Sequence, residues 1–267
     1  MYRVGEGEPV LQFPYPHATT LSSIAESPIV EILVRLGRTV LTFDPPGAYA
    51  SSRPGDCTLE EMVACARETL DYFGADEPVD AIGHSMGAFC ALAFALDNQN
   101  RVRRLTLVGA PSGFPALMRW GMPHNWRWWR DREWWQAAWY GARIMLGLDN
   151  LAVHKRLSNA VEKASYVDTS LAPHWTIEPG DQRRPVPLRV AWQRNVRQYD
   201  LANRLSTLEV PVLLLFGRHD PQTPLQIAEQ LRDLLPDARL VVLENSGHSP
   251  FVEEADAFAH AVSEFLA

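Results

Sequence analysis

Lysine is nearly missing from this chain of 267 residues: Lys155 and Lys163 stand against 23 arginines. That bias fits a GC-rich coding sequence and carries no function. Cysteine is scarce as well. The three present (Cys57, Cys65, Cys90) are odd in number and form no C-x-x-C pair, so neither a disulfide framework nor a metal site is indicated. Cys90 falls on a helix, where a free thiol packs as a small apolar side chain. No apolar run approaches the roughly 20 residues of a membrane span, so none is predicted. A formal charge of −7 argues against a general nucleic-acid binder. The opening Met1-Tyr2-Arg3-Val4-Gly5-Glu6 has no signal-peptide apolar region, which makes the cytoplasm the expected location.

What is present is ordinary in bulk, with 46% hydrophobic and 21% charged residues. The length suffices for one large α/β domain carrying an insertion. Short apolar runs alternate with helical patterns, the signature of a parallel sheet covered by helices. Strands are predicted over Pro9–Phe13, Arg38–Phe43, Val79–Ile82, Arg103–Val108, Val210–Phe216 and Arg239–Leu243. Helices are predicted from Ser27-Pro28, from the capping box Thr58-x-x-Glu61 to Gly74, and after the cap Thr223-Pro224. A last helix runs from about Glu253 to the end.

The segment 111–207 interrupts this rhythm. All nine tryptophans lie there, with fourteen Lys and Arg against eight Asp and Glu. It reads as a helical cap inserted into a core formed by 1–110 and 208–267. Packing within the cap accounts for most of the indoles. The remainder would line a cleft suited to an apolar or aromatic substrate, with Trp128 and Trp135 as candidates. The positive surplus has two readings: attraction between cap and acidic body, or an anionic substrate or surface.

Gly83-His84-Ser85-Met86-Gly87 follows an apolar run and precedes a small-residue helix. A serine on such a strand-to-helix turn exposes its oxygen, and the flanking glycines let the chain segments approach closely. By composition alone G-x-S-x-G arises about once in ten chains of this length. The context removes most of those accidents. A serine hydroxyl also needs a base, and the base an acid to orient it. Asp220 follows one later strand and His248 the next, in the order Ser85, Asp220, His248. His219 and His84 read as residues lining or supporting the site. Asp44 reads as a brace for the Asp44-Pro45-Pro46-Gly47 turn; Glu244 is a distant third candidate for the acid.

With these residues the chain resembles the α/β-hydrolase fold family over nearly its whole length. Thr42-Phe43-Asp44-Pro45-Pro46-Gly47-Ala48-Tyr49-Ala50-Ser51 resembles the D-x-x-G-x-G-x-S loop of the family's proline iminopeptidase and small-ester hydrolase branches. The stretch from Arg101 to Ala110 resembles the strand leading into their cap. Such members carry His-Gly where this chain has Phe13-Pro14-Tyr15-Pro16-His17. Proline offers no N–H, so the implied oxyanion donors are the backbone groups of Tyr15 and Met86. His17 and His84 are implied neighbours of the substrate.

The resemblance implies a serine hydrolase with a mostly parallel sheet and a helical cap. Its expected substrate is a small molecule, a carboxylic ester with an apolar or aromatic part. Neither metal nor organic cofactor is called for. A prolyl aminopeptidase is the first alternative, with Glu133, Glu162 and Glu178 as candidates to grip a free amine, although a positive cap suits a cation poorly. A non-hydrolytic binding protein or lyase of the same fold is the second. No oligomeric state is implied.

Overall fold

The computed structural model describes residues 1–16, 24–51, 56, 58–121, 132–146, 148, 150–174, 191–192 and 194–267. Seven strands form one sheet: β1 (Tyr2–Val4), β2 (Glu8–Phe13), β3 (Arg38–Thr42), β4 (Val79–His84), β5 (Val102–Val108), β6 (Val212–Gly217) and β7 (Ala238–Leu243). Their spatial order is β1-β3-β2-β4-β5-β6-β7. Only β1 runs antiparallel, pairing with β3; every other pairing is parallel. Parallel pairing sends the strand C-termini to one edge, and the loops after β2, β4, β5, β6 and β7 therefore gather there.

Strand periodicity sorts the apolar residues onto two faces. Val212, Leu214 and Phe216 join a large cluster with α2 (Leu59–Tyr72), α3 (Met86–Asp97) and α7 (Leu225–Leu234). Leu213 and Leu215 join a second cluster with α1 (Pro28–Arg35) and α9 (Ala255–Leu266). The capping box on α2 forms as its sequence predicts. Thr58 Oγ accepts from the Glu61 N–H at 3.2 Å, and Glu61 accepts from the Thr58 N–H at 3.0 Å.

Between β5 and β6 lie α4 (Phe114–Trp120), α5 (Arg132–Met145) and α6 (Leu151–Ala164). The two ends of this stretch belong to the main core: Ala116, Trp192, Val196, Leu201 and Leu205 are buried in its large cluster. Helices α5 and α6 pack on each other around Ala160, with Ala138 and Leu157 alongside.

One local reading is corrected. Pro224, not Thr223, is the N-cap of α7, and no side chain caps it; the Thr223 hydroxyl is engaged elsewhere. The terminal helix forms as expected, as α9, and a short α8 (Pro250–Glu253) precedes it, separated by Glu254, whose φ is −131°. Its carboxylate turns back to accept from the Asn245 N–H at 2.9 Å and the Ser246 hydroxyl at 2.6 Å.

Candidate active site

Ser85 is placed by the turn from β4 into α3. Its φ is +53°, and it is one of two non-glycine residues with positive φ among those described. Such a conformation costs a residue with a β-carbon roughly 1 kcal/mol or more. The flanking glycines show why the turn requires them. A β-carbon on Gly83 would fall 2.5 Å from Gly87 O, and one on Gly87 would fall 2.7 Å from Phe13 O. Ser85 and Met86 are partly exposed in an otherwise buried stretch. The Ser85 N–H donates to Val108 O at 2.8 Å, tying the elbow to the end of β5.

The next residue, Gly109, marks where Asp220 and His248 meet. A β-carbon there would lie 3.2–3.3 Å from Thr223 Oγ1, Asp220 Oδ2 and His248 Cε1. His248 Nδ1 lies 2.7 Å from Asp220 Oδ2, both side chains buried. A carboxylate only accepts, so Nδ1 carries the proton and Nε2 is the basic nitrogen. Asp220 is held from every side. Oδ1 accepts from the N–H groups of Gln222 (2.8 Å) and Thr223 (3.0 Å), and Oδ2 from the Thr223 hydroxyl (2.7 Å). This is the work of Thr223 that its place before a helix concealed.

His84 is a brace. Its Nε2 lies 2.6 Å from His248 O, and its Nδ1 meets the Tyr15 hydroxyl. A carbonyl cannot donate, so Nε2–H donates to it and the Tyr15 O–H donates to Nδ1. Burial, then the charge of His248, pushes the His84 pKa well below its ordinary 6.5. Burial likewise raises the Tyr15 phenol well above 10, with further increments from Glu162, Tyr166 and Tyr49. Both groups therefore keep the neutral forms this chain of bonds needs.

Tyr15 thus turns its ring inward to His84, while its backbone lies where the 13–15 segment abuts the start of α3. Met86, the first residue of α3, presents a first-turn N–H, which has no intrahelical partner in any helix. Tyr49 is the other residue with positive φ, at +52°. It occupies the second glycine position of the D-x-x-G-x-G-x-S resemblance.

Of the remaining sequence candidates, His17 and Trp128 lie outside the described residues, as does Glu178; the Glu133 side chain does too. Trp135 is 56% exposed on α5, and Trp139, one turn on, is 63% exposed. Their indoles face outward, while Trp192 is 3% exposed inside the main core. His219 is exposed beside the acid loop. Glu244 is occupied by Arg218 at 2.6 and 2.8 Å on the surface. Asp44 is a brace as expected, but at Ala50 N–H (3.1 Å) and the Tyr2 hydroxyl (2.6 Å). Among the described residues, no three or more His, Cys, Asp or Glu converge as metal ligands would.

With this geometry in place, the comparisons decide the family. Residues 17–255 match the model of the alpha/beta hydrolase fold. The chain belongs to the α/β-hydrolase fold family. It is 30% identical over 254 residues to a 2-hydroxy-6-oxononadienedioate/2-hydroxy-6-oxononatrienedioate hydrolase of Dechloromonas aromatica, covering 89% of this chain and 79% of that one. It is 25% identical over 271 residues to the pimeloyl-[acyl-carrier protein] methyl ester esterase of Aliivibrio salmonicida, covering 98% and 93%. An α/β fold family hydrolase from Bacillus anthracis superposes with a TM-score of 0.78 at 19% identity, covering 98% and 93%. This α/β hydrolase is accordingly an enzyme, an esterase-like hydrolase. No helix among its described residues is long and apolar enough to cross a membrane.

Proposed function

We propose that this enzyme hydrolyses a carboxylic ester with an apolar or aromatic part through an acyl-enzyme on Ser85. One observation carries the reading: the buried 2.7 Å contact between His248 and Asp220 beside a strained serine elbow. His248 Nε2 takes the Ser85 proton as the oxygen attacks the carbonyl. Asp220 holds the tautomer and stabilises the imidazolium. The backbone N–H groups of Met86 and Tyr15 receive the developing oxyanion, a contribution of about 2.7–4 kcal/mol per donor in comparable sites. His248 then gives its proton to the leaving alcohol, and a water activated by the same histidine releases the acid. Residues 111–207 act as the cap that selects the substrate.

A fluorophosphonate probe tests this directly. Labelling at Ser85, lost in Ser85→Ala together with turnover of p-nitrophenyl esters, supports the reading. Unchanged turnover in Ser85→Ala overturns it.

The similarity to the Dechloromonas hydrolase favours a second reading, cleavage of a carbon–carbon bond in a 2-hydroxy-6-oxo dienoate. The same triad would serve. Loss of dienoate absorbance faster than ester hydrolysis would reverse the order of the two readings. A prolyl anilide in the same assay tests the aminopeptidase, for which Glu162 would be the grip on the amine.

A further inference from the structure

The end of α6 touches both partners of Ser85 at once. Ser165, just past that helix, accepts the His248 N–H on its carbonyl at 2.8 Å. Its hydroxyl oxygen accepts from Gln222 Nε2 at 2.8 Å, and the Gln222 N–H in turn donates to Asp220 Oδ1 at 2.8 Å. Glu253 closes the arrangement from α8. One of its oxygens accepts from the N–H groups of Val167 (2.6 Å) and Asp168 (3.4 Å), the other from the Gly247 N–H (2.7 Å). Gly247 is pressed so close that a β-carbon would fall 2.0 Å from Ser165 O.

The backbone of His248 is consequently gripped on both sides. Ser165 holds its N–H and His84 holds its C=O. Segments 165–168 and 245–249 meet directly at Ser165 O and the His248 N–H, and Glu253 ties them a second time as a common acceptor for Val167, Asp168 and Gly247. A neutral residue of the same shape cannot replace it, because an amide has a single accepting oxygen for N–H groups that lie on two sides.

Resting on the serine-hydrolase reading above, we propose that Glu253 and Ser165 are positioning residues that clamp the cap segment to the histidine loop and set the aim of His248 toward Ser85. The cap in this corner is then a fixed part of the catalytic apparatus. Misplacing a base by about 1 Å costs on the order of 100-fold in rate.

The test compares Glu253→Gln, Glu253→Ala and Gly247→Ala with wild type, each checked for folding by circular dichroism. The measurements are kcat and KM for a p-nitrophenyl ester, the rate of fluorophosphonate labelling at Ser85, and hydrogen exchange at the amides of Gly247 and His248. We expect kcat and labelling to fall together by ~10–100-fold with KM nearly unchanged. Glu253→Gln should lose less than Glu253→Ala, and both amides should exchange faster in every variant. Glu264→Gln, which breaks only the surface pair with Arg239, is expected to match wild type. A folded Glu253→Gln protein with wild-type labelling and wild-type exchange overturns the proposal. If Glu253→Ala does not fold, the isosteric Gln variant decides alone. If wild type itself is not labelled at Ser85, the serine reading has failed, and exchange at the two amides still decides for or against the clamp.

Discussion

Two aspartates are buried at opposite ends of the same sheet, and their partners differ in kind. Asp80, at the start of β4, is 0% exposed. It receives Arg103 at 3.0 and 2.7 Å, with Arg38 at 3.7 Å and Arg104 at 3.9 Å around it. Asp220, past the C-terminal end of β6, is 2% exposed and is met by two backbone N–H groups, a threonine hydroxyl and an imidazole. Arginine is always charged, so the Asp80 cluster is neutralised permanently and can only hold the fold together. The surroundings of Asp220 are dipoles plus a group that gains charge when a proton arrives. In the proposed mechanism such a carboxylate pairs with the imidazolium as it forms, in the transition state, which is where stabilisation accelerates a reaction.

The strongest way to break that contrast is Asp220→Asn. The amide would point N–H groups at a nitrogen that must itself donate, forcing the wrong histidine tautomer. A loss of roughly 10³–10⁴-fold in kcat is expected from triads of this kind, with a urea midpoint close to wild type. A loss of stability in place of activity would make Asp220 a second Asp80.

Asp80→Asn should do the converse. Removing one partner of a buried pair costs about 3–5 kcal/mol, and the lower figure applies here because the arginines left behind are partly exposed. Urea unfolding should show about 3 kcal/mol of destabilisation, and esterase kcat measured well below the transition should be unchanged. A matching fall in kcat would show that the two ends of the sheet are not independent.

Protonation sharpens the comparison more gently. His84 is neutral in the folded protein and titrates normally when unfolded, so below about pH 6.5 the unfolded state binds more protons. Stability should therefore be full above pH 6.5 and fall as pH drops below it, by at most about 1.4 kcal/mol per unit. Tyr15 gives the mirror image, because its raised pKa costs stability only as pH climbs past 10. Denaturant midpoints across pH 5 to 11 check both limbs, and His84→Gln should remove the acid limb attributable to this residue.

The smallest effect concerns the second strained residue. Tyr49→Gly relieves a positive φ worth roughly 1 kcal/mol while deleting a partly buried ring that packs against the large core cluster. The unfolding free energy from urea denaturation should change by less than about 1 kcal/mol, and kcat/KM for aromatic esters should fall several-fold. Unchanged kinetics would make the strain an accident of the loop.

Much of this was legible beforehand because it rests on local rules. The α2 capping box, the glycine-flanked elbow and the order of Ser85, Asp220 and His248 all depend on neighbours within a few residues, or on loops that must follow parallel strands. Boundaries shifted by a residue or two, as at β6, which starts at Val212 beyond Pro211. Thr223 was misread because a threonine before a helix ordinarily caps it, and nothing local announces a carboxylate three residues back that takes the hydroxyl instead. The tryptophans were legible as a cluster only. Burial is a property of the assembled core, and it divided Trp192 from Trp135 and Trp139.

By itself, then, the sequence determined the class of fold, the strained serine and the two loops that carry Asp220 and His248, since periodicity and turn chemistry act over short stretches. Only the tertiary structure could decide what holds those loops in place. Glu253, Ser165, His84 and Tyr15 converge around the His248 loop from four different segments, and hydrogen bonds between distant segments leave no periodic trace in a chain.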